Sequence, residues 1–339
     1  MKFSDVLDIR NGRNQRQVEN ATGKYPIYGS GGVMGRATDF ICDAGTVVIG
    51  RKGSINNPIF VDEPFWNVDT AFGLVAHRDV LLPKYLFYFC VNFDFEQLNT
   101  TVTIPSLTKA NLLQIEINVP DMDEQRHIVS VLDKICRLTD LQQQELHNLD
   151  QLVKSRFIEL FGEPQRNPHG YKHIKLSDIA TYYNGLTYKP ENVAAEGTIV
   201  LRSSNIQNSQ LDFADTVRVD CAIKERLMVQ NNDILMCSRN GSAKLVGKVA
   251  LIKDIQEPMS FGAFMMIIRS HYFGYLMTYF QMDDFRQQIK TGATTTINQI
   301  TGRMLDDVTI PLPPMALVDQ FAAFVEQTDK SKLCGKMEV

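Results

Sequence analysis

The residues best placed for chemistry lie in four polar loops: Arg51-Lys52-Gly53-Ser54 with Asn56; residues 99–103, with Thr101 and Thr103; Arg239-Asn240-Gly241-Ser242 with Lys244; and residues 291–296, with Thr294, Thr295 and the nearby Asn298. Arg, Lys, Ser, Thr and Asn are the side chains that bond phosphate oxygens and the edges of bases. Glycine beside arginine lets backbone approach a phosphate while the guanidinium forks onto guanine. Each loop taken alone also reads as a solvated turn; it is their recurrence in both halves of the chain that points to nucleic acid.

Catalytic constellations fail on spacing. Gly29-Ser30-Gly31-Gly32-Val33-Met34-Gly35 has the composition of a nucleotide-binding loop, but the short polar stretch 36–44 stands where the phosphate-cradling helix should begin. GSAKLVGK (241–248) has one residue too many between its glycines for a P-loop, and Val249 replaces the required Ser or Thr. Asn57-Pro58-Ile59-Phe60 lacks the second proline of the tetrad that grips a flipped adenine, so strand entry explains it better. His169 and His173 have no cysteine or carboxylate at ligand spacing, and no metal site is expected. No GxSxG elbow is present.

The elements that must position the loops come from a repeat. KFSDVLDIRNG (2–12) returns as KLSDIATYYNG (175–185), an offset of 173, and TIPSLTKANLLQIEINVP (103–120) returns as TINQITGRMLDDVTIPLP (296–313), an offset of 193. Between them Phe72-Gly73 is matched to Phe261-Gly262, and YLFYF (85–89) to YLMTYF (275–280). The offsets rise steadily, so the chain reads as a duplication whose second copy has longer loops. Short β-branched runs (45–49, 58–61, 248–252) bounded by Gly, Asn and Pro predict strands. Apolar helices are predicted at 85–92 and 275–282, giving α+β domains; sheet topology is not legible at this level.

Between the copies, Ile128, Leu132, Ile135, Leu146, Leu149, Val153 and Leu160 recur at spacings of threes and fours, a coiled-coil stripe interrupted by Thr139 and Gln142. A surface helix lying on one domain is the plainer alternative. Gly162-Glu163-Pro164 ends the helix. About 35 helical residues reach about 50 Å, the length of roughly 15 base pairs. The domain expectation is 1–120, a spacer helix 121–163, 164–314, and a C-terminal helix 315–339.

Bulk properties agree with two ordinary globular domains: 339 residues, 44% hydrophobic and 22% charged. A formal charge of -4 argues mildly against a nucleic-acid partner. The charge is uneven, however, with eight basic against five acidic residues over 1–60 and nine acidic against five basic over 121–163. The opening residues offer no signal-peptide run, and the most apolar stretch, 261–268, is too short for a bilayer, so a cytoplasmic protein is expected. Cys42, Cys90, Cys136, Cys221, Cys237 and Cys334 are scattered, without CxxC pairs, and read as reduced thiols.

Taken together, YPIYGSGGVMG (25–35), VDEPFWNVDTAFG (61–73), LRSSNIQNSQLD (201–212), DILMCSRNGSAKLVGKVALI (233–252), VPDMDEQRHIVSVLDKI (119–135) and LVKSRFIELFGEP (152–164) resemble the specificity subunits of Type I restriction-modification systems over almost the whole chain. The resemblance implies an α+β protein with two similar target recognition domains, each followed by a helix, the first long and coiled-coil-like and the second short. Each domain would read one half of a bipartite duplex DNA sequence, and Arg202, Ser204 and Asn205 join the candidate DNA contacts. The helices would set the gap and dock methyltransferase subunits. Such subunits do not catalyse. S-adenosylmethionine belongs to the methyltransferase partners, and ATP and Mg to the translocase-nuclease subunits that the complex recruits.

The second copy departs from the family pattern at its end, because PPMALVDQFAAFVEQTDKSK (313–332) starts the expected helix and Val339 follows about twenty residues sooner than in the first copy. Two alternatives therefore stand beside the specificity subunit: a truncated or recombinable cassette without activity of its own, and a fused DNA methyltransferase. The second requires a cofactor loop and a complete tetrad that the sequence does not supply.

Overall fold

The computed structural model describes residues 1–99, 104–291 and 299–337. The chain divides into two compact units, Met1–Leu141 and Gln142–Val339. In the first, α1 (Phe3–Val6) leads into β1 (Leu7–Asn11), β2 (Tyr25–Gly29), β3 (Gly32–Ala37), β4 (Thr46–Gly50), β5 (Ile59–Val61), β6 (Trp66–Asn67) and β7 (Ala71–Ala76). The helices α2 (Pro83–Asn92), α3 (Lys109–Leu112) and α4 (Met122–Phe161) follow, and the division falls inside α4. The second unit holds β8 (His173–Lys175), β9 (Thr181–Asn184), β10 (Val193–Ala194), β11 (Thr198–Leu201), β12 (Ile206–Gln207), β13 (Gln210–Leu211), β14 (Arg218–Val219), β15 (Ile234–Cys237), β16 (Val249–Leu251), β17 (Met259–Phe261) and β18 (Met265–Arg269). It closes with α5 (Phe273–Tyr279), α6 (Asp283–Thr291), α7 (Gly302–Asp306), β19 (Thr309–Pro311) and α8 (Met315–Met337).

The duplication is visible in the strand order. The first unit pairs β1-β7-β4-β5 and the second β9-β18-β15-β16, each a four-stranded antiparallel sheet with the same connectivity. The central strands of both sheets are continuous apolar runs, such as TVVIG in β4 and MMIIR in β18, because helices and loops cover both faces. A parallel pair sits beside each sheet, β2 with β6 and β11 with β17. α2 packs on β4, β5 and β7, burying Leu86 and Cys90, and α5 buries Tyr275, Leu276 and Tyr279. Thr108 and Thr301 cap α3 and α7 with the same side-chain hydrogen bond, the polar punctuation expected at a helix start.

One sequence match is corrected by this pairing. Phe72 lies in β7, but Phe261 ends β17, the counterpart of β6. Arg13 donates its amide to the Asn67 carbonyl, as Leu186 does to Phe261, so Asn67 and Phe261 are the equivalent pair. The Phe-Gly identity is coincidental: the register is set by backbone pairing, which two residues cannot specify.

The α+β class and the two helices, one of 40 residues and one of 23, follow the expectation. Asp121 accepts the Asp123 and Glu124 amides at 3.0 and 2.8 Å, which caps α4. Gly162, at φ 74°, closes its other end with its amide on the Ile158 carbonyl, a backbone conformation that glycine adopts without strain. Along α4, Ile128, Leu132, Leu146 and Leu149 are half-buried and Ile135 is exposed. Val153 and Leu160 pack against the core of the second unit, as α8 does, so these two serve the fold of their own domain. Thr139 turns its hydroxyl back onto the Ile135 carbonyl. Val131, Leu138, Leu141 and Leu152 are exposed apolar residues that the stripe did not include.

Candidate nucleic-acid interface

In each unit the arginine-bearing turn follows a central strand and is fastened to two other segments. After β4, the amides of Arg51 and Lys52 both donate to the Thr70 carbonyl, at 2.8 and 3.3 Å. Gly53 donates to Pro105 at 3.1 Å and Leu107 to Arg51 at 2.9 Å, which zips the turn to the segment following residues 100–103. A side chain at Gly50 would meet the Ser54 carbonyl at 2.1 Å and the Ser30 Cβ at 3.1 Å, so only glycine lets the β2–β3 hairpin tip lie on this turn.

The second unit repeats the arrangement. After β15, Ser238 and Arg239 both donate to the Phe264 carbonyl at 2.9 and 3.0 Å, and Ile300 donates to Ser238 at 2.7 Å. Arg239 pairs as an isolated bridge with Gln299, as Lys52 does with Ser106. The Asn240 amide reaches Ser203 Oγ at 3.3 Å, so the turn touches the loop after β11 where its counterpart touches Ser30. Three segments thus converge on the cationic turn in each copy: backbone bonds hold the Thr70 or Phe264 turn and the segment at 105–107 or 299–300, and the serine loop lies against it.

The displayed side chains are cationic and polar. Lys52, Ser54, Arg239, Ser242 and Lys244 are exposed, and Arg51 is half-buried. Among the described residues none of Arg51, Lys52, Arg239 and Lys244 has a carboxylate within ion-pairing distance. The Arg51 guanidinium lies 5.7 Å from the Phe72 ring centroid and that of Arg239 lies 5.9 Å from Phe264, while Arg239 also donates to Gln299 Oε1 at 2.7 Å. Guanidinium forks oriented in this way, with no carboxylate partner among the described residues, suit phosphate or guanine.

Several sequence candidates bond within the protein. Asn56 is exposed, but its amide donates to Asp94 and accepts from Phe95, tying the loop to the start of a 3-10 turn. Asn205 is 1% exposed, bonding the Asp212 and Asp215 carbonyls and the Arg202 amide, and so holds its loop in shape. Arg202 is ion-paired with Asp215 at 2.7 Å. Ser204 is half-buried, its carbonyl accepting from Gln207. Thr101, Thr103, Thr294, Thr295 and Asn298 lie outside the described residues. Ser30, Ser203 and the Thr70 and Phe264 turns were missed, although the offset of 173 set by Gly12 and Gly185 carries unchanged to Ser30 and Ser203.

The glycine-rich segment 29–35 is the β2–β3 hairpin, and segment 241–248 is a turn entering β16. Among the described residues no three His, Cys, Asp or Glu side chains are grouped to hold a metal ion. No helix among them is long and apolar enough to cross a membrane.

The model of the Type I restriction modification DNA specificity domain matches twice, at residues 1–151 and 168–333. The Type I restriction enzyme EcoKI specificity subunit of Escherichia coli (strain K12) is 29% identical over 178 residues, 49% of this chain and 38% of that protein. The MjaIX specificity subunit of Methanocaldococcus jannaschii is 20% identical over 311 residues, 82% of this chain and 68% of that protein. The chain thus spans well under half of the EcoKI subunit it matches. In fold it is similar to the S subunit of a Type-I restriction-modification system from M. genitalium, with a TM-score of 0.62 at 16% identity, covering 100% of this chain and 91% of that one. With the family model matching both copies of the repeat, the chain belongs to the Type I restriction modification DNA specificity domain family.

Proposed function

We propose that the chain is the non-catalytic DNA-reading subunit of a Type I restriction-modification complex, each domain reading one half of a bipartite duplex target. The observation that carries this reading is the repeated cluster: in both units a cationic turn lies against a serine loop and is bonded through its backbone to the segment after a threonine-rich stretch of sequence. Phosphate contacts from such turns would fix register, and the arginine forks and small polar side chains would read base edges.

The helices α4 and α8 set the gap between half-sites and dock methyltransferase subunits. At 1.5 Å per residue α4 is about 60 Å long. Its exposed Val131, Ile135, Leu138 and Leu141 offer apolar area of the kind that another subunit covers. S-adenosylmethionine serves the methyltransferase partners, and ATP with Mg serves translocase-nuclease subunits; this chain binds none of them. The complex works on cytoplasmic DNA.

Long-read modification sequencing of DNA from cells expressing the chain with a cognate methyltransferase subunit tests the proposal. A gapped, two-part motif carrying methyladenine only when the chain is present is the expected result. Methylation that is absent, or unchanged by removing the chain, would overturn it.

A further inference from the structure

We infer that Phe264 is a specificity-determining residue of the second domain, an aromatic wedge that packs against unstacked bases of its half-site. The inference rests on the DNA-reading function proposed above and on a difference between two otherwise equivalent turns. In the first unit Ala71 donates to Val68 at 2.9 Å, closing a turn whose central residues are Asp69 and Thr70; in the second, Met265 donates to Gly262 at 2.8 Å, closing a turn on Ala263 and Phe264. The carbonyls of Thr70 and Phe264 each receive two amides from the cationic turn, so the backbone positions correspond.

What the turns display is opposite in character. The first unit displays an exposed aspartate, Asp69, and a half-buried threonine, Thr70, on this turn. The second unit instead presents an exposed methyl and a phenyl ring that is 60% exposed, on a backbone pinned by a third bond from the Ser238 hydroxyl at 3.0 Å. The guanidinium of Arg239, which Gln299 also holds, lies 5.9 Å from the ring centroid. An apolar ring on a rigid apex, flanked by a cation, is how side chains enter between base steps. Neither Ala263 nor Phe264 is acidic, whereas the corresponding turn of the first unit carries the exposed Asp69, whose charge disfavours close approach of phosphate. Pyrimidine–purine steps unstack at least cost, so one such step is expected in the half-site the second domain reads.

The test uses the full chain with its methyltransferase partner and duplexes of the motif found by modification sequencing, with 2-aminopurine placed in turn at each adenine-compatible step of both halves. Fluorescence should rise on binding at a step in one half only, and Phe264→Ala should abolish the rise and weaken binding about 10- to 100-fold. Phe264→Trp should retain both, whereas Phe264→Ala should relax discrimination against mismatches in that half alone. Unchanged circular dichroism in Phe264→Ala would show that the fold is intact. No fluorescence rise in the wild type, or a variant that binds and discriminates like the wild type, overturns the inference while leaving the gapped motif standing. Loss of methyltransferase assembly with DNA affinity unchanged overturns it in favour of a protein contact. The absence of any gapped motif removes the functional reading and this inference with it.

Discussion

Lys332 Nζ lies 2.7 Å from Asp150 Oδ1, linking α8 to the second half of α4. The ring of Phe321 meets Phe157 and Phe161 at centroid distances of 5.6 and 5.4 Å, and Arg156 stands 5.8 Å from the Phe324 ring. Ascending α8 therefore descends α4, and the two helices run antiparallel. The inward face of α8 is Val318, Phe321, Val325, Thr328 and Lys332, a three-four spacing that begins aromatic and ends polar.

This gradient predicts which contact holds the helices. Phe321 is fully buried, so Phe321→Ala should destabilise the second unit by about 3–5 kcal/mol. Asp150 is 60% exposed, and water screens its ion pair, so Lys332→Ala should cost no more than about 1 kcal/mol. Urea unfolding of the two variants measures both. A larger loss for Lys332→Ala would mean that charge, not aromatic packing, holds the seam.

At its other end α4 is anchored by Gln125, whose side chain is wholly buried. Its Oε1 accepts the Leu82 amide at 2.9 Å and its Nε2 donates to the Val80 and Pro120 carbonyls, both at 2.9 Å. Gln125→Leu leaves these backbone groups unpaired in the interior and should cost on the order of 3 kcal/mol. Gln125→Glu can still accept from Leu82 but, once ionised, cannot donate. Its stability should therefore improve as pH is lowered, and a pH-independent variant would show that the two donated bonds contribute little.

Much of this was legible in the sequence because it rests on local patterns. The helix from Met122 shows its periodicity and its caps, and the copies share turn residues at their ends. The Phe72–Phe261 match failed for another reason, and the inward bonds of Asn56 and Asn205 were not legible. A dipeptide does not encode which strand it will pair with, and an asparagine amide bonds inward or outward according to carbonyls far along the chain, such as Asp212 and Asp215 for Asn205. The convergence of Ser203 with Asn240 depends on the parallel pairing of β11 with β17, a nonlocal contact that no spacing rule reports.

Asp133 gives a pH-dependent signature of α4 docking in the first unit. Hydrogen bonds from Lys84 and then Tyr88 hold its carboxyl below the ordinary carboxylate range, against the opposing effect of burial. A depressed folded value means that the stabilisation is present above the unfolded value, near about 3.9, and is lost as pH falls through the folded one. With Asp133 38% exposed, screening limits the effect to less than about 1 kcal/mol. Asp133→Asn should flatten the acid limb of the unfolding curve below about pH 4 and leave its neutral limb nearly parallel to the wild type. Identical acid limbs would exclude Asp133 as a contributor.

Lys52 and Arg239 occupy equivalent positions but should behave differently on DNA. Lys52 is an exposed point charge on a flexible stem, whereas the Arg239 fork is oriented by Gln299 and by the Phe264 ring before any DNA arrives. A mobile ammonium finds phosphates, and a preset fork selects a base edge. Lys52→Ala should therefore weaken binding to every sequence alike and reduce the salt dependence by about one phosphate contact. Arg239→Ala should relax one position of one half-site by about 1–3 kcal/mol of discrimination. Binding titrations at several salt concentrations against single-substitution duplexes separate the two. If Arg239→Ala lowers affinity uniformly and leaves base preference intact, its fork contacts phosphate, and recognition in that domain is carried by the turn beneath it.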